Sequence, residues 1–364
     1  MELFKPVWLS NNLEKALKAV EKENDQAQLT EIAKSALILE VRLTAVEKMT
    51  DQAKLTEIVK NALTFEVRLK AVEKMTSQKE LACIVQEPCP AYDYDWAKLK
   101  EKAIEKLTDQ KELAHIAQKP CPAYGYAFAG IKEKAIEKLT DQDVLLHIAQ
   151  SDAHVFSRIR AADKLNNRCL AQGIYSDIVM MYEDYNAKRM QWGTHETQMK
   201  VASELIEKIT DQALLAGIAE RAQSSCVATK AASKIEDENL LMKVAKNIDI
   251  KEPYSPSLEG ISYSWYSPRR EALLKLQSKN IDMFTEILSG IVRNSKEIGV
   301  MRHWGVNTLL DKGVLTEIAE SQDSEGYSYT YTILDYVHYD SYDTKIVQIV
   351  GDLRMVARER IAEI

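Results

Sequence analysis

"AVEKMTDQAKLTEIVKNALTFEVRLKAVEKMTSQ", Ala45 to Gln78, carries one full unit of a repeat and the opening of the next. Leu55, Ile58, Val59 and Ala62 recur at i, i+3, i+4 and i+7, while Val67, Ala71 and Met75 recur at i, i+4 and i+8. Each series marks an apolar stripe along one side of a helix, so the unit is a pair of helices whose stripes must both be buried. "TDQ" opens the first helix of a pair. Either Thr50 or Asp51 caps its free N–H groups, and an acid in the first turn suits the positive end of the helix dipole.

Working outward, the same phrase returns as "AIEKLTDQKELAHIAQ", "AIEKLTDQDVLLHIAQ" and "LIEKITDQALLAGIAE". Repetition of this kind is the mark of a stacked array, in which each unit buries its apolar faces against its neighbours. The anchors Asp25, Asp51 and Ser77 lie 26 residues apart; Asp109 and Asp141 follow at 32, Asn167 at 26, Asp211 at 44 and Asp237 at 26. Asn280 and Asp311 continue the series less regularly.

The uneven spacing has one source. From the basic or equivalent position of each second helix (Arg42, Arg68, Lys100, Lys132, Arg158, Ala202, Ala228, Arg302) to the next anchor is nine residues every time, and only Arg269 to Asn280 departs. From the first helix to that basic position the gap runs from 11 to 29 residues. All the slack therefore lies in the turn inside a pair, which a stacked array places on a single edge. The near-copies "EPCPAYDYDW" (Glu87 to Trp96) and "KPCPAYGYAFAG" (Lys119 to Gly130) lengthen that turn in two successive pairs. The opposite turns keep their length because neighbouring pairs must stay in register.

The second helices "VRLTAVEKM" and "VRLKAVEKM" resemble the V-R-x-x-A-x-x-x-L pattern of HEAT repeats, and the resemblance extends over nearly the whole chain. It implies an all-α, right-handed α-α superhelix of about ten helix pairs. The expectation is a single solenoid over 1–364, with regular short repeats over 1–166 and the same repeats with long aromatic loop insertions over 167–364. "LEKALKAVEKEND" reads as a half-repeat at one end and "DLRMVARERIAEI" as a closing second helix at the other. In HEAT repeats an acid commonly stands six residues before the Arg and links neighbouring pairs. Asp152 before Arg158 matches this, whereas Ala36 and Ala62 before Arg42 and Arg68 do not. The family implies protein-binding scaffolds first and enzymes rarely.

Composition agrees with that class. With 46% hydrophobic and 28% charged residues, the chain can bury a sizeable core. No apolar run approaches the roughly 18 residues of a spanning helix, and the start lacks the pattern of a signal peptide, so no membrane and a cytoplasmic location are expected. Five cysteines without a CxxC pair read as reduced thiols. Cys89 and Cys121, each inside P-C-P, read as small loop residues rather than a bridged pair. A net charge of -7 works against nucleic acid.

Candidate chemistry is sparse. Cys83, His115 and His147 fill one position of three consecutive first helices, a column that could hold zinc; other units place Glu there, which marks a solvated face. His195-Glu196 is the one His-Glu pair, where HEAT-like di-iron hydroxylases carry several. No nucleophile elbow, P-loop, zincin or dinucleotide motif occurs, so no catalytic residue and no cofactor are expected. Arg42, Arg68, Lys100, Lys132 and Arg158 would form a basic strip along the concave face, with Glu47, Glu73, Glu105 and Glu137 five residues further along each helix.

The variable turns carry the main signal. Tyr92, Tyr94, Trp96, Tyr124, Tyr126 and Phe128 crowd the twin insertions, Trp192 lies in the next, and Trp265 and Tyr266 in another. Tyr and Trp combine apolar area with a polar tip and suit interface anchors; the alternative is that these rings fold back over their own helix pairs. The expected function is a non-catalytic scaffold binding a protein or peptide through these loops and the charged concave face, with self-association compatible. The runner-up is a HEAT-like enzyme or nucleic-acid-binding repeat protein using the concave groove. "YSYTYTILDYVHYDSYD" reads as a short strand or the start of an extra helix.

Overall fold

The computed structural model describes residues 6–88, 94–119, 126–183, 195–222, 224–250, 267–297, 299–321, 326–338 and 341–364. Its contacts divide the chain into two compact units, Met1–Arg168 and Cys169–Ile364. Among the described residues it is helical apart from one β-hairpin, and no described helix is long and apolar enough to cross a membrane.

The first unit opens with α1 (Leu13–Lys22) and continues with α2 (Gln26–Ser35) and α3 (Leu39–Lys48), α4 (Gln52–Asn61) and α5 (Phe65–Lys74), and α6 (Gln78–Gln86) and α7 (Tyr94–Lys106). It ends with α8 (Gln110–Gln118) and α9 (Tyr126–Lys138), then α10 (Gln142–Ser151) and α11 (Val155–Asp163). Each consecutive pair packs together, and like helices of neighbouring pairs pack in two rows. Leu55, Ile58, Val59, Val67, Ala71 and Met75 are fully buried between them, as the two stripes require.

The cap left open by the sequence is the acid. Asp51 Oδ1 accepts from Lys54 N (3.1 Å). Asp25, Ser77, Asp109 and Asp141 cap α2, α6, α8 and α10 in the same way. The next residue does something the sequence reading did not assign. Gln26 Oε1 reaches the following unit and accepts from Thr50 N (2.8 Å) and Asp51 N (3.0 Å). Gln52 does so for Thr76 and Ser77, Gln78 for Thr108 and Asp109, Gln110 for Thr140, and Gln142 for Asn166.

The Lys of "EK" closes the clamp from the other side. Lys48 Nζ donates to Val20 O (3.1 Å), Lys138 Nζ to Ile104 O (3.0 Å) and Glu105 O (2.6 Å), and Lys74, Lys106 and Lys164 reach Glu47 O, Glu73 O and Glu137 O. These carbonyls lie in the last turn of the preceding second helix, where the i to i+4 ladder runs out, and each has a lone pair to offer the ammonium. So "EK-x-TDQ" caps its own helix, ties itself to the preceding unit through Lys, and offers Gln to the next. A turn fixed from both sides cannot change length, which is the physical reason for the constant nine-residue spacing.

The second unit begins one residue into α12 (Arg168–Glu183) and continues with α13 (His195–Lys208), α14 (Gln212–Arg221), α15 (Ser225–Ser233), α16 (Glu238–Lys246), α17 (Pro268–Lys279), α18 (Ile281–Arg293), α19 (Gly299–Thr308), α20 (Lys312–Glu320) and α21 (Leu353–Glu363). The clamp persists at its start: Gln172 Oε1 accepts from Thr210 N and Asp211 N (both 2.7 Å), Gln212 Oε1 from Glu236 N (2.6 Å), and Lys234 Nζ donates to Ile206 O (2.9 Å). Further on it lapses, and a buried ion pair takes over. Arg269, 1% exposed, donates through Nε to Ala245 O (3.1 Å) and through its two other nitrogens to Glu297 (2.8 and 2.6 Å). Gly305 allows α19 to lie close to α18; a Cβ there would stand 2.6 Å from Val292 Cγ1.

Between α20 and α21 the turn inside the pair is a hairpin. β1 (Gly326–His338) runs antiparallel to β2 (Ser341–Asp352), with Tyr327 opposite Gly351, Tyr331 opposite Val347 and Tyr336 opposite Tyr342. The Tyr-Ser-Tyr-Thr alternation thus forms a strand, and Ile333 to Val337 belong to it rather than to an extra helix.

Candidate functional site

The five basic residues expected to line a concave strip are internal. Arg68 Nε donates to Val59 O (2.8 Å), Lys132 Nζ to Lys119 O (2.8 Å) and Arg158 Nε to Ala149 O (2.9 Å); Arg42 and Lys100 reach Ala36 O and Glu87 O. Each therefore binds the carbonyl end of the first helix in its own pair. Lys100 and Lys132 are 4% and 1% exposed, and the three arginines are half-buried. Sequence shows the charge of these residues but not the orphan carbonyls opposite, which attract a cation both by hydrogen bonding and by the helix dipole. Asp152 likewise turns to the preceding pair, with Oδ2 2.5 Å from Lys132 Nζ in a buried bridge.

Outside this, charge is arranged in rungs between neighbouring units. Glu47–Lys70 (2.6 Å) and Glu137–Arg160 (3.0 Å) join second helices, and Lys60–Glu87 (2.8 Å) and Arg293–Glu317 (2.7 Å) join first helices, as do Lys34 and Glu57. Lys275 and Lys279 hold Glu236 well below the usual carboxylate range, at about 2. Glu47, Glu57, Glu207 and Glu317 are lowered by hydrogen bonds from Lys70, Lys34, Lys230 and Arg293. A lowered folded-state value favours folding at pH above the unfolded value of about 4.3 and ceases to do so as pH falls through the folded value. We therefore expect the thermal midpoint to fall between about pH 4.5 and pH 2. The fall is followed by circular dichroism, and a plateau across that window would contradict the rungs.

Cys83, His115 and His147 are exposed, as a solvated face requires, and no cluster of three metal-ligating side chains occurs among the described residues.

The turns inside the pairs differ from the clamped ones in chemistry as well as in length. Asp or Ser caps each of α2, α4, α6, α8 and α10, yet α3 and α5 begin at Ile38 and Thr64 with no side-chain cap. Between Asn24 and Arg168, every exposed large apolar side chain among the described residues stands at a turn inside a pair: Leu37, Leu39, Leu63, Tyr94 and Phe156. Leu63 is 87% exposed and Tyr94 73%. Leu37 and Leu63 hold the same place, five residues before Arg42 and Arg68. Reading for aromatics missed these leucines; the signal was an apolar residue in "SALILEVR" and "NALTFEVR" where the other turn carries Thr-Asp-Gln.

Of the aromatic candidates, Tyr94 meets the expectation of an exposed ring at the edge. Trp96 does not: it is 5% exposed and lies under Arg68, whose guanidinium carbon is 4.7 Å from the ring centroid. Two residues after Tyr94, its indole folds back onto the preceding unit, so it anchors the insertion. Tyr126 and Phe128 belong to α9, but their side chains lie outside those described. Tyr92, Tyr124, Trp192, Trp265 and Tyr266, like Cys89 and Cys121, lie outside the described residues.

No family model and no curated protein matches the chain.

Proposed function

We propose that the chain is a non-catalytic, HEAT-like α-solenoid scaffold, built as a right-handed superhelix, that binds a protein or peptide along the edge formed by the turns inside its pairs. The observation that carries this reading is the row Leu37, Leu63 and Tyr94, held in the open by units clamped on their other edge. Rigid display limits the ordering that binding must supply, and apolar anchors on loops of a fixed scaffold are a common form of protein recognition. The nucleic-acid reading loses its basic strip, because Arg68, Lys132 and Arg158 are bonded inside the helix pairs. The exposed thiols of Cys83, Cys169 and Cys226 fit a reducing cytoplasm.

The test is selection of a displayed random-peptide library on the full chain, followed by affinity measurements on the enriched peptides. Leu37→Ser with Leu63→Ser removes exposed side chains and is expected to shift stability by no more than about 0.5 kcal/mol. Binding should fall at least about tenfold, the loss expected for two apolar anchors. Lys111→Ala, on the exposed side of α8, should leave binding unchanged. Equal binding by all three proteins would refute the edge as the binding surface.

A further inference from the structure

We propose that the ligand of this edge is an extended basic-apolar peptide segment, with an apolar residue at every third position and Lys or Arg among the residues between. The inference rests on the edge being a binding surface and adds the chemistry of what binds.

Spacing gives the first half of the argument. Leu37, Leu63 and Tyr94 supply one anchor per pair, at the starts of α3, α5 and α7, and these three helices pack side by side. Packed helices lie about 8 to 10 Å apart, so successive anchors are separated by about that distance. A polyproline-II segment turns once in three residues and rises about 3.1 Å per residue, bringing i, i+3 and i+6 onto one side at intervals of about 9 Å. A β-strand sends i and i+3 to opposite sides, and a helix needs seven residues for the same distance.

Charge gives the second half. Glu40, Glu66 and Asp95 stand in the first turns of α3, α5 and α7, beside the anchors, and no ion pair engages them among the described residues. The neighbouring cations are engaged: Arg42, Arg68 and Lys100 on carbonyl oxygens, Lys34 on Glu57 and Lys60 on Glu87. Lys98 is the exposed exception, and its ammonium lies 4.8 Å from the centre of the Tyr94 ring. The edge therefore presents apolar anchors flanked by exposed carboxylates that no ion pair engages among the described residues. An acidic peptide or a nucleic acid would meet repulsion, and a second copy of the chain would bring acid against acid.

The probes are fluorescent peptides of repeated Leu-Pro-Lys triplets and of Leu-Pro-Glu triplets, titrated against the full chain by anisotropy. A third probe keeps the composition of the first but places Leu at every fourth position. The Lys triplets should bind at least about tenfold more tightly than either other peptide. Glu40→Gln, Glu66→Gln and Asp95→Asn together should weaken that binding about fivefold, as should raising the salt. If the Glu triplets or the respaced peptide bind as well, or if the amide variant binds unchanged, the inference is overturned. In that case the acids serve only the helix dipoles, and a loss of binding by Leu37→Ser with Leu63→Ser would still uphold the edge. If the Lys triplets ignore that leucine variant too, or do not bind, the inference falls, and indifference to the leucines also counts against the edge.

Discussion

Replacing Glu297 by alanine is expected to destabilise the second unit by about 3 to 5 kcal/mol, read as a lower urea midpoint. Both partners of the pair are almost fully buried, and Glu297 accepts two hydrogen bonds from the Arg269 guanidinium. Truncation leaves a cation in a low-dielectric site with the Ala245 carbonyl as its one remaining partner among the described residues. The magnitude is that of an uncompensated charge, not of the pair itself. Arg269→Met combined with Glu297→Leu, which removes both charges, should therefore recover most of the loss. If the double variant is no more stable than Glu297→Ala, the pair acts through geometry that an apolar replacement cannot supply.

The second large effect concerns where the chain can stretch. Two glycines inserted between Thr50 and Asp51 should destabilise the first unit by about 2 to 3 kcal/mol. Gln26 Oε1 holds the N–H groups of both residues at 2.8 and 3.0 Å, and Lys48 fixes the turn to the preceding helix end. Lengthening separates the two donors and moves fully buried Met49 out of register with Leu55. The same insertion between Ala62 and Leu63 should cost less than about 1 kcal/mol, because it only extends a loop that two other units already carry in longer form. Urea melts of the two insertions decide the matter, and equal losses would contradict the clamp.

The repeat was legible because its spacing is physical: a Lys, a cap and a Gln must fall in fixed order to join three units, so "EK-x-TDQ" survives while the other turn drifts. Asp51, Ser77, Asp109 and Asp141 were readable as anchors for the same reason. What Gln52 and Lys74 bond to was not, since their partners lie in adjacent units. The basic residues were misplaced because position on a helix says nothing about reach: Lys100 sits nearly two turns into α7, yet its ammonium bonds to Glu87 O. For Trp96, residue type and place in the insertion leave both an outward anchor and a folded-back ring open; Arg68, one unit earlier, draws the ring inward. Leu37 and Leu63 were overlooked because a lone exposed leucine is unremarkable in sequence; only their alignment along one edge gives them meaning.

The most direct test of the account is hydrogen–deuterium exchange on the full chain, free and saturated with a selected peptide. The edge reading predicts slowed exchange in the turns at 35–40 and 61–66 and at the start of α7, with the Thr50–Gln52 and Thr76–Gln78 turns unchanged. Protection confined to those clamped turns, or to the exposed helix faces around Cys83, His115 and His147, would contradict it.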